Sequence, residues 1–481
     1  MNVLLCVAIP LAGALIVPFT DRSDVGGARR VSVIFALATL VATIYLAVAW
    51  TAGDADTLTW AVGGPQAIRI LRLAVDGLSL PLVVLTGLLG LIAVLTSWEV
   101  RERAAAHHAL LLALQAAVMT VFLADHVVLF YVAWEAVLIP MFFLISVWGH
   151  ENRRAAAFKF FIYTFAGSAL MLVGIITLMV TVPTDALVGG LGAVPADKQT
   201  LVFWLLAAGL LVKVPVVPLH TWLPDAHVEA PTAGSVMLAG VLLKMGGYGL
   251  LRLAIPVAPD AFTAAGPILA LLGGIGIVYG AVLSLGQSDL KRLVAYSSVA
   301  HMGFMLLALS TGTGLGLGAA MLVMVSHGVI SGLLFFLVGA LHDRTHTREI
   351  SRLGGLAATI PVWGGVFVFG ALASLGLPGL SGFPGELLAI LEGFGAYGWW
   401  IAPVGLGVVL GAAYNLYAVR AVAHGGPCAE WSGIADLGLR ERIVAGMLVV
   451  AIVGLGVWPG AVLSVTDPVT RVLAAALGGG Q

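Results

Sequence analysis

Six ionisable side chains sit where ionisable side chains are costly. Glu135, Lys213, Lys244, His301, His327 and Glu386 all fall within long apolar runs or at the breaks in them. A charge at the centre of a bilayer costs about 2.5–3.5 kcal/mol on insertion scales, and groups that bear this cost pair with one another or mark an ion or proton path. Carboxylate, amine and imidazole in one chain can accept and release protons in turn, and imidazole suits a relay because its ordinary pKa lies near 6.5.

Each of the six has a bland reading beside the chemical one. Glu135 lies in Trp134-Glu135-Ala136, with Pro140 five residues on. Pro140 has no N–H for the Ala136 carbonyl, so Glu135 either caps a kink or pairs with Lys213. Separating such a pair would leave two buried charges uncompensated. Lys244 has apolar neighbours on both sides, too deep for a lysine that snorkels to an interface. His301 and His327 are satisfied by Ser297, Ser298 or Ser326, or they serve as relay positions. Glu386 follows the Gly- and Pro-rich segment Leu377 to Gly385. It is a helix N-terminal acid favoured by the dipole, or the last group of a polar line running Glu135, Lys213, Lys244, His301/His327, Glu386. His220, Asp225, His227 and Glu229 tempt a metal reading, but the seven-residue histidine spacing matches no standard ligand set. A loop closing a proton entrance fits them better.

The elements that must position these groups are membrane helices. The chain is 60% hydrophobic and 10% charged with a mean hydropathy of +1.07, whereas soluble domains are roughly 25% charged. A bilayer core requires about 20 apolar residues per helix. Runs of that kind fall near 2–20, 31–50, 77–98, 108–124, 127–148, 158–182, 200–219, 232–255, 262–285, 291–310, 315–341, 361–395, 399–422 and 442–464, fourteen in all. The run 291–310 is the weakest, being polar at Tyr296, Ser297, Ser298 and His301, and nothing substantial is expected after 464. Pro215 and Pro218 break the seventh run, and Pro378 and Pro384 break the twelfth. Non-helical backbone at that depth is tolerated only against protein or a wet cavity. Residues 158–174 and 323–339 share a pattern of aromatic, small and aliphatic positions. They lie five spans apart, as do the two breaks, so the repeated units must be inverted, an arrangement that places a site near the midplane in many transporters.

Charge sets orientation. Of 23 basic residues, Lys213 and Lys244 lie within spans and Arg69, Arg72, Lys198, Arg252 and Arg471 fall on one side. The other sixteen follow odd-numbered spans, which makes that side cytoplasmic and puts both ends on the non-cytoplasmic side. A net charge of −1 offers no basic surface for nucleic acid. Cys6 and Cys428 stand near opposite ends in no metal or redox spacing. The apolar start lacks a basic leader and is expected to be a retained span. No P-loop, dinucleotide fingerprint, haem motif or nucleophile elbow occurs, so no cofactor or metal site is expected in this chain.

Tyr131–Ile145 (YVAWEAVLIPMFFLI), Lys159–Gly167 (KFFIYTFAG), Pro218–Arg252 (PLHTWLPDAHVEAPTAGSVMLAGVLLKMGGYGLLR) and Asp289–Gly303 (DLKRLVAYSSVAHMG) closely resemble the M-type antiporter-like subunits of NADH–quinone oxidoreductase, respiratory complex I. The resemblance spans roughly residues 75–440. It implies an all-α polytopic fold of fourteen helices, with an inverted five-helix repeat of helices 4–8 and 9–13 and with helices 7 and 12 broken. The corresponding divisions are 1–107 for the first three helices, 108–255 and 256–425 for the repeats, and 426–481 for helix 14 and the tail. It implies that Glu135 and Lys213 form an ion pair, that Lys244, His301 and His327 are central, and that Glu386 is terminal. Glutamate at that last place fits the M type better than the L type. The implied activity is proton translocation across a bacterial inner membrane. NADH oxidation, FMN, iron–sulfur clusters and quinone would reside in partner subunits. Rival readings are a subunit of an Mrp-type cation/proton antiporter or of a proton-pumping hydrogenase, and an inert scaffold. The scaffold gives no reason for ionisable groups at depth.

Overall fold

The computed structural model describes residues 3–20, 25–54, 58–61, 70–182, 194–426 and 429–478. Arg22, Arg69 and Cys428 lie outside these. The apolar runs become helices. They begin with α1 (Leu5–Ile16), α2 (Val25–Ala52), α3 (Ser79–Thr96), α4 (Ala104–Leu123), α5 (Val127–Trp148) and α6 (Arg153–Thr181). Next come α7 (Ala196–Lys213), the short α8 (Trp222–Glu229), α9 (Thr232–Val257), α10 (Pro259–Leu285), α11 (Leu290–Ser310) and α12 (Gly314–Thr345). The chain finishes with α13 (Pro361–Ser374), α14 (Gly382–Tyr397), α15 (Ala402–Ala418), α16 (Leu439–Val457) and α17 (Gly460–Ala476). Among the described residues, ten helices are long and apolar enough to cross a membrane. An eleventh is added if α16 and α17, bent by 62°, count as one span.

The breaks fall where proline denies the backbone a donor. Helix α7 ends on Lys213, and the chain passes Pro215 and Pro218 before α8 begins. The run 361–395 divides into α13 and α14, with Pro378 between them. Pro384 is the third residue of α14, where a missing N–H costs no helical bond. Pro140 interrupts α5 at Val137, and the next amide, Met141, reaches the Val137 carbonyl only at 3.4 Å.

Burial separates two kinds of helix. Helix α12 is buried in protein along its whole apolar window and α11 along 94% of it, whereas α2 is only one-third buried. This accounts for the polar positions within 291–310: Ser297, Ser298 and His301 meet protein rather than lipid. Close approach between α10 and α11 uses glycine. A Cβ on Gly303 would lie 2.6 Å from the Gly273 carbonyl oxygen, and one on Gly273 2.8 Å from that of Gly303. Small residues at such crossings let membrane helices pack backbone to backbone.

Two features depart from the sequence expectation. Ordered structure continues past 464 as α17, which packs against α12 and buries Val462, Thr466, Thr470 and Leu473. Its apolar face recurs with helical period, but Asp467, Pro468 and Arg471 interrupt any hydropathy run. The all-α expectation also misses one hairpin, Thr59–Ala61 paired antiparallel with Arg72–Ala74, which is tied to the start of α5 by Asp125 N–H donating to the Arg72 carbonyl at 3.0 Å.

Gly303→Val should destabilise the protein by about 1–3 kcal/mol through overpacking. Gly365→Val, which meets nothing within 4 Å, should be neutral. Thermal unfolding of the purified detergent-solubilised variants compares them, and equal midpoints would refute the close-packing account.

Candidate functional site

Lys244 sits on α9 just after a π-helical turn, Leu238–Leu242. There the Leu243 N–H reaches back five residues to the Leu238 carbonyl rather than four to Ala239. The Ala239 carbonyl instead accepts from the fully buried Lys244 amine. Such single π turns inside α-helices occur frequently at functional sites. Lys244 Nζ also shares a 2.6 Å hydrogen bond with His327 Nδ1 on α12.

The line then crosses to α11 and α14. The His327 and His301 rings lie 5.5 Å apart between centroids. A small cavity of about 10 Å³, lined by His301, Ser326, His327, Ile330 and Glu386 among others, lies between them. His327 Nε2 and Ser326 Oγ border it, buried without a hydrogen-bond partner, and a cavity of that size has room for about one water. His301 Nδ1 and Glu386 Oε1 are 2.6 Å apart, and His301 Nε2 meets Ser374 Oγ at 3.1 Å and Tyr414 Oη at 3.5 Å. Lys244, His327, His301 and Glu386 are thus drawn from four helices into one chain of contacts.

Glu135 and Lys213 form a separate group. No carboxylate oxygen of Glu135 lies within 4 Å of Lys213 Nζ, and both Glu135 Oε1 and Lys213 Nζ are buried without a hydrogen-bond partner. The expected direct ion pair is therefore absent from this conformation. The ammonium instead faces the rings of Trp134 at 5.4 Å and Phe160 at 5.5 Å, a cation–π arrangement. It also ends α7, where the helix dipole favours a cation. Glu135 still attracts it electrostatically. Between Lys213 and Lys244 the helices pack tightly, since a Cβ on Gly246 would lie 2.6 Å from the Leu210 carbonyl oxygen.

The proposed entrance residues scatter to different partners. Asp225 pairs with Lys159 at 2.6 Å and Arg292 at 2.8 Å, and Glu229 Oε2 accepts from the Asn152 N–H at 2.9 Å. His220 lies edge-on to Tyr279. His227 turns inward: it is fully buried, stacks on Phe335 at 4.3 Å, and has both ring nitrogens unpartnered. It lies within electrostatic range of Lys291, Lys244 and His327. His227 lies on a helix and not in the loop expected from its flanking prolines, and Lys291 is a buried amine that its place at a span's edge did not single out. The available signal was the spacing of Trp222, Leu223, Ala226 and His227, one buried face of α8. Lys291 donates to the Ala230 carbonyl at 2.6 Å. It borders a cavity of about 240 Å³ lined also by Ser97, Trp148, His150, His342 and Asp343. In the loop before α6, burial first and then Lys291, Arg348 and His342 push His150 down to about 3, so it is neutral at physiological pH.

These features define a polytopic helical membrane protein with a buried chain of amine, imidazole and carboxylate. The family described as NADH:quinone oxidoreductase/Mrp antiporter, transmembrane, matches residues 124–411, and the chain belongs to it. NADH-quinone oxidoreductase subunit M of Rhodobacter capsulatus is 39% identical over 484 residues, covering 96% of this chain and 94% of that protein. NAD(P)H-quinone oxidoreductase chain 4 of Trichormus variabilis is 38% identical, covering 98% and 90%. A chain of respiratory complex I from Thermus thermophilus with bound NADH superposes with a TM-score of 0.89 at 29% identity, covering 99% of this chain and 100% of that one. A chain of the membrane-bound sulfane sulfur reductase, an archaeal respiratory membrane complex, gives 0.80 at 25% identity, covering 94% and 75%.

Because Lys213 Nζ has no hydrogen-bond partner, Lys213→Met should raise the thermal unfolding midpoint. A buried charge replaced by an apolar group of similar volume is often neutral or stabilising by about 1–4 kcal/mol. A clear fall in the midpoint would show that the ammonium is held better than its contacts indicate.

Proposed function

We propose that this chain is the M-type proton-translocating membrane subunit of a complex I-type NADH–quinone oxidoreductase. The observation that carries the proposal is the contiguous Lys244, His327, His301, Glu386 chain enclosed by protein, in a sequence whose relatives carry the subunit M and chain 4 names. Quinone reduction and its cofactors belong to partner subunits, and this chain moves protons in response. Under this proposal the arginine-rich loops face the cytoplasm of a bacterial cell membrane, with both ends opposite. The spans number fourteen, with 108–255 and 256–425 as inverted repeats broken at Pro215/Pro218 and at Pro378/Pro384.

The division of labour follows from the groups. A proton enters by the cavity beside His150 and Lys291, passes His227 and reaches Lys244. An ammonium beside His327 Nδ1 donates to that imidazole, and His301 passes the proton to Glu386. Glu135 and Lys213, close but not in contact, set the electrostatic potential at Lys244: bringing them together or apart changes the field that an amine feels in a low-dielectric surround. Each charge moved across 100 mV costs about 2.3 kcal/mol, which the redox reaction must supply through neighbouring subunits.

Identification of the chains that copurify with the native protein tests the assignment. NADH- and quinone-site subunits are expected, and antiporter subunits alone would overturn it. Lys244→Ala should abolish this subunit's proton translocation with the complex assembled, and Glu135→Gln should lower it. A normal proton-to-electron ratio in the assembled Lys244→Ala complex would refute the relay.

A further inference from the structure

Two cavities meet on the side of the arginine-rich loops. The cavity of about 240 Å³ that reaches Lys291 is lined also by Thr96, Glu99, Thr232 and Asp343. A second, of about 430 Å³, shares those four residues and extends to Asp436, Arg440 and Glu441. Glu99 and Asp343 are exposed, whereas Lys291 is buried. The smaller cavity therefore has solvent-facing carboxylates on one side and a buried amine on the other. Its polar wall, which includes Ser97, His150 and His342, offers water hydrogen-bond partners, and its volume has room for several waters.

Four carboxylates line the two cavities, and three of them are engaged. Glu99 bonds Arg440 at 3.0 Å and Glu441 bonds Arg344 at 2.6 Å. Asp436 accepts from the Val362 and Trp363 N–H groups at 2.8 and 3.0 Å. Asp343 alone makes no hydrogen bond or ion pair with any described residue. Lys291 lies within its electrostatic range. Protonating Glu99 or Glu441 would break an ion pair, and protonating Asp436 would weaken two bonds to backbone. Protonating Asp343 breaks nothing. A carboxylate with no partner also gives the fold little, since a charge stabilises through the groups it meets.

We propose that Asp343 collects protons from the cytoplasmic solution and passes them, through water in the smaller cavity, to Lys291, resting on the relay reading given under Proposed function. The Asp343 carboxylate takes a proton from solution and becomes the acid. It gives that proton to a water of the cavity as the water's own proton passes to the Lys291 amine. Asp343 returns to the carboxylate, the water is unchanged, and Lys291 becomes the ammonium that feeds His227 and Lys244. Arg344 and Arg440 are positioning residues: by pairing with Glu441 and Glu99 they leave Asp343 the one free acceptor at the mouth.

The test uses the whole complex, purified with its partner subunits and reconstituted into phospholipid vesicles. Protons translocated per quinone reduced are measured for Asp343→Asn, Asp343→Ser, Asp343→Glu, Glu99→Gln and Lys244→Ala. Asp343→Asn keeps the shape and removes the titratable oxygen, and Asp343→Ser is a second, smaller replacement. The expected result is that both lower the ratio by the share Lys244→Ala removes, that Asp343→Glu restores it, and that Glu99→Gln leaves it unchanged. A purely structural role for Asp343 would lower assembly or the unfolding midpoint and leave the ratio of the assembled complex at the wild-type value. That wild-type ratio in assembled Asp343→Asn and Asp343→Ser, with Lys244→Ala defective, overturns the collector and leaves the relay standing. An equal loss in Glu99→Gln overturns the assignment to Asp343, because surface charge at the mouth would then suffice. A wild-type ratio in Lys244→Ala overturns relay and collector together.

Discussion

Lys213, Lys244, His301 and His327 are enclosed by protein and not left to lipid, and that constraint shapes the bundle around them. Hydrocarbon offers an ammonium or carboxylate no hydrogen bond, so an exposed one is costly. The two helices that carry the imidazoles, α11 and α12, are accordingly the most enclosed of the apolar spans, together with α9, which carries Lys244. The outer helices α2, α6 and α10 keep lipid-facing surfaces, with Ile34, Ile162 and Leu271 exposed. A shield of this kind needs short helix-to-helix distances, and the paired glycines of α10 and α11 supply them.

Breaking a helix in such a shield does two things at once. It frees carbonyl and amide groups that ordinary helical geometry would consume, and it places partial charges of the helix dipole in the middle of the membrane. The two breaks use opposite ends of that dipole. Lys213 is the last residue of α7, beside carbonyl-end negative charge, and Glu386 is the fifth residue of α14, just beyond an amide-rich N-terminus. The π turns of α9 achieve the first effect without a break, since the Ala239 carbonyl becomes a seat for an amine two turns from any proline. Backbone irregularity and buried charge coincide because each meets the other's unpaired groups.

Much of this was visible in the residues alone. Lys213 and Lys244 stood out because every other lysine or arginine falls outside the apolar runs or within the first or last few residues of one, and Pro215, Pro218 and Pro378 sit where helices stop. The apolar runs located helices because a span's length and hydropathy are local properties, although among the described residues ten or eleven helices, against fourteen runs, are long and apolar enough to cross a membrane. His227 was misplaced because α8 is eight residues long, too short to show a period against two flanking prolines. Helix α17 was missed because amphipathic packing against α12 replaces the uniform apolarity of a span. The Glu135–Lys213 contact was assumed from opposite charge, but Trp134 and Phe160 occupy the ammonium's surroundings, and ring placement across three helices is not written in either segment.

The sequence by itself determined that this is a membrane protein with charges inside it and where its helices break, since insertion cost and proline chemistry act on each residue where it stands. Only the tertiary structure decided which of those charges touch. Lys244 and His327 are 83 residues apart and His301 and Glu386 85, and hydrogen bonds work over a few ångströms, so their pairing depends on how α9, α11, α12 and α14 converge.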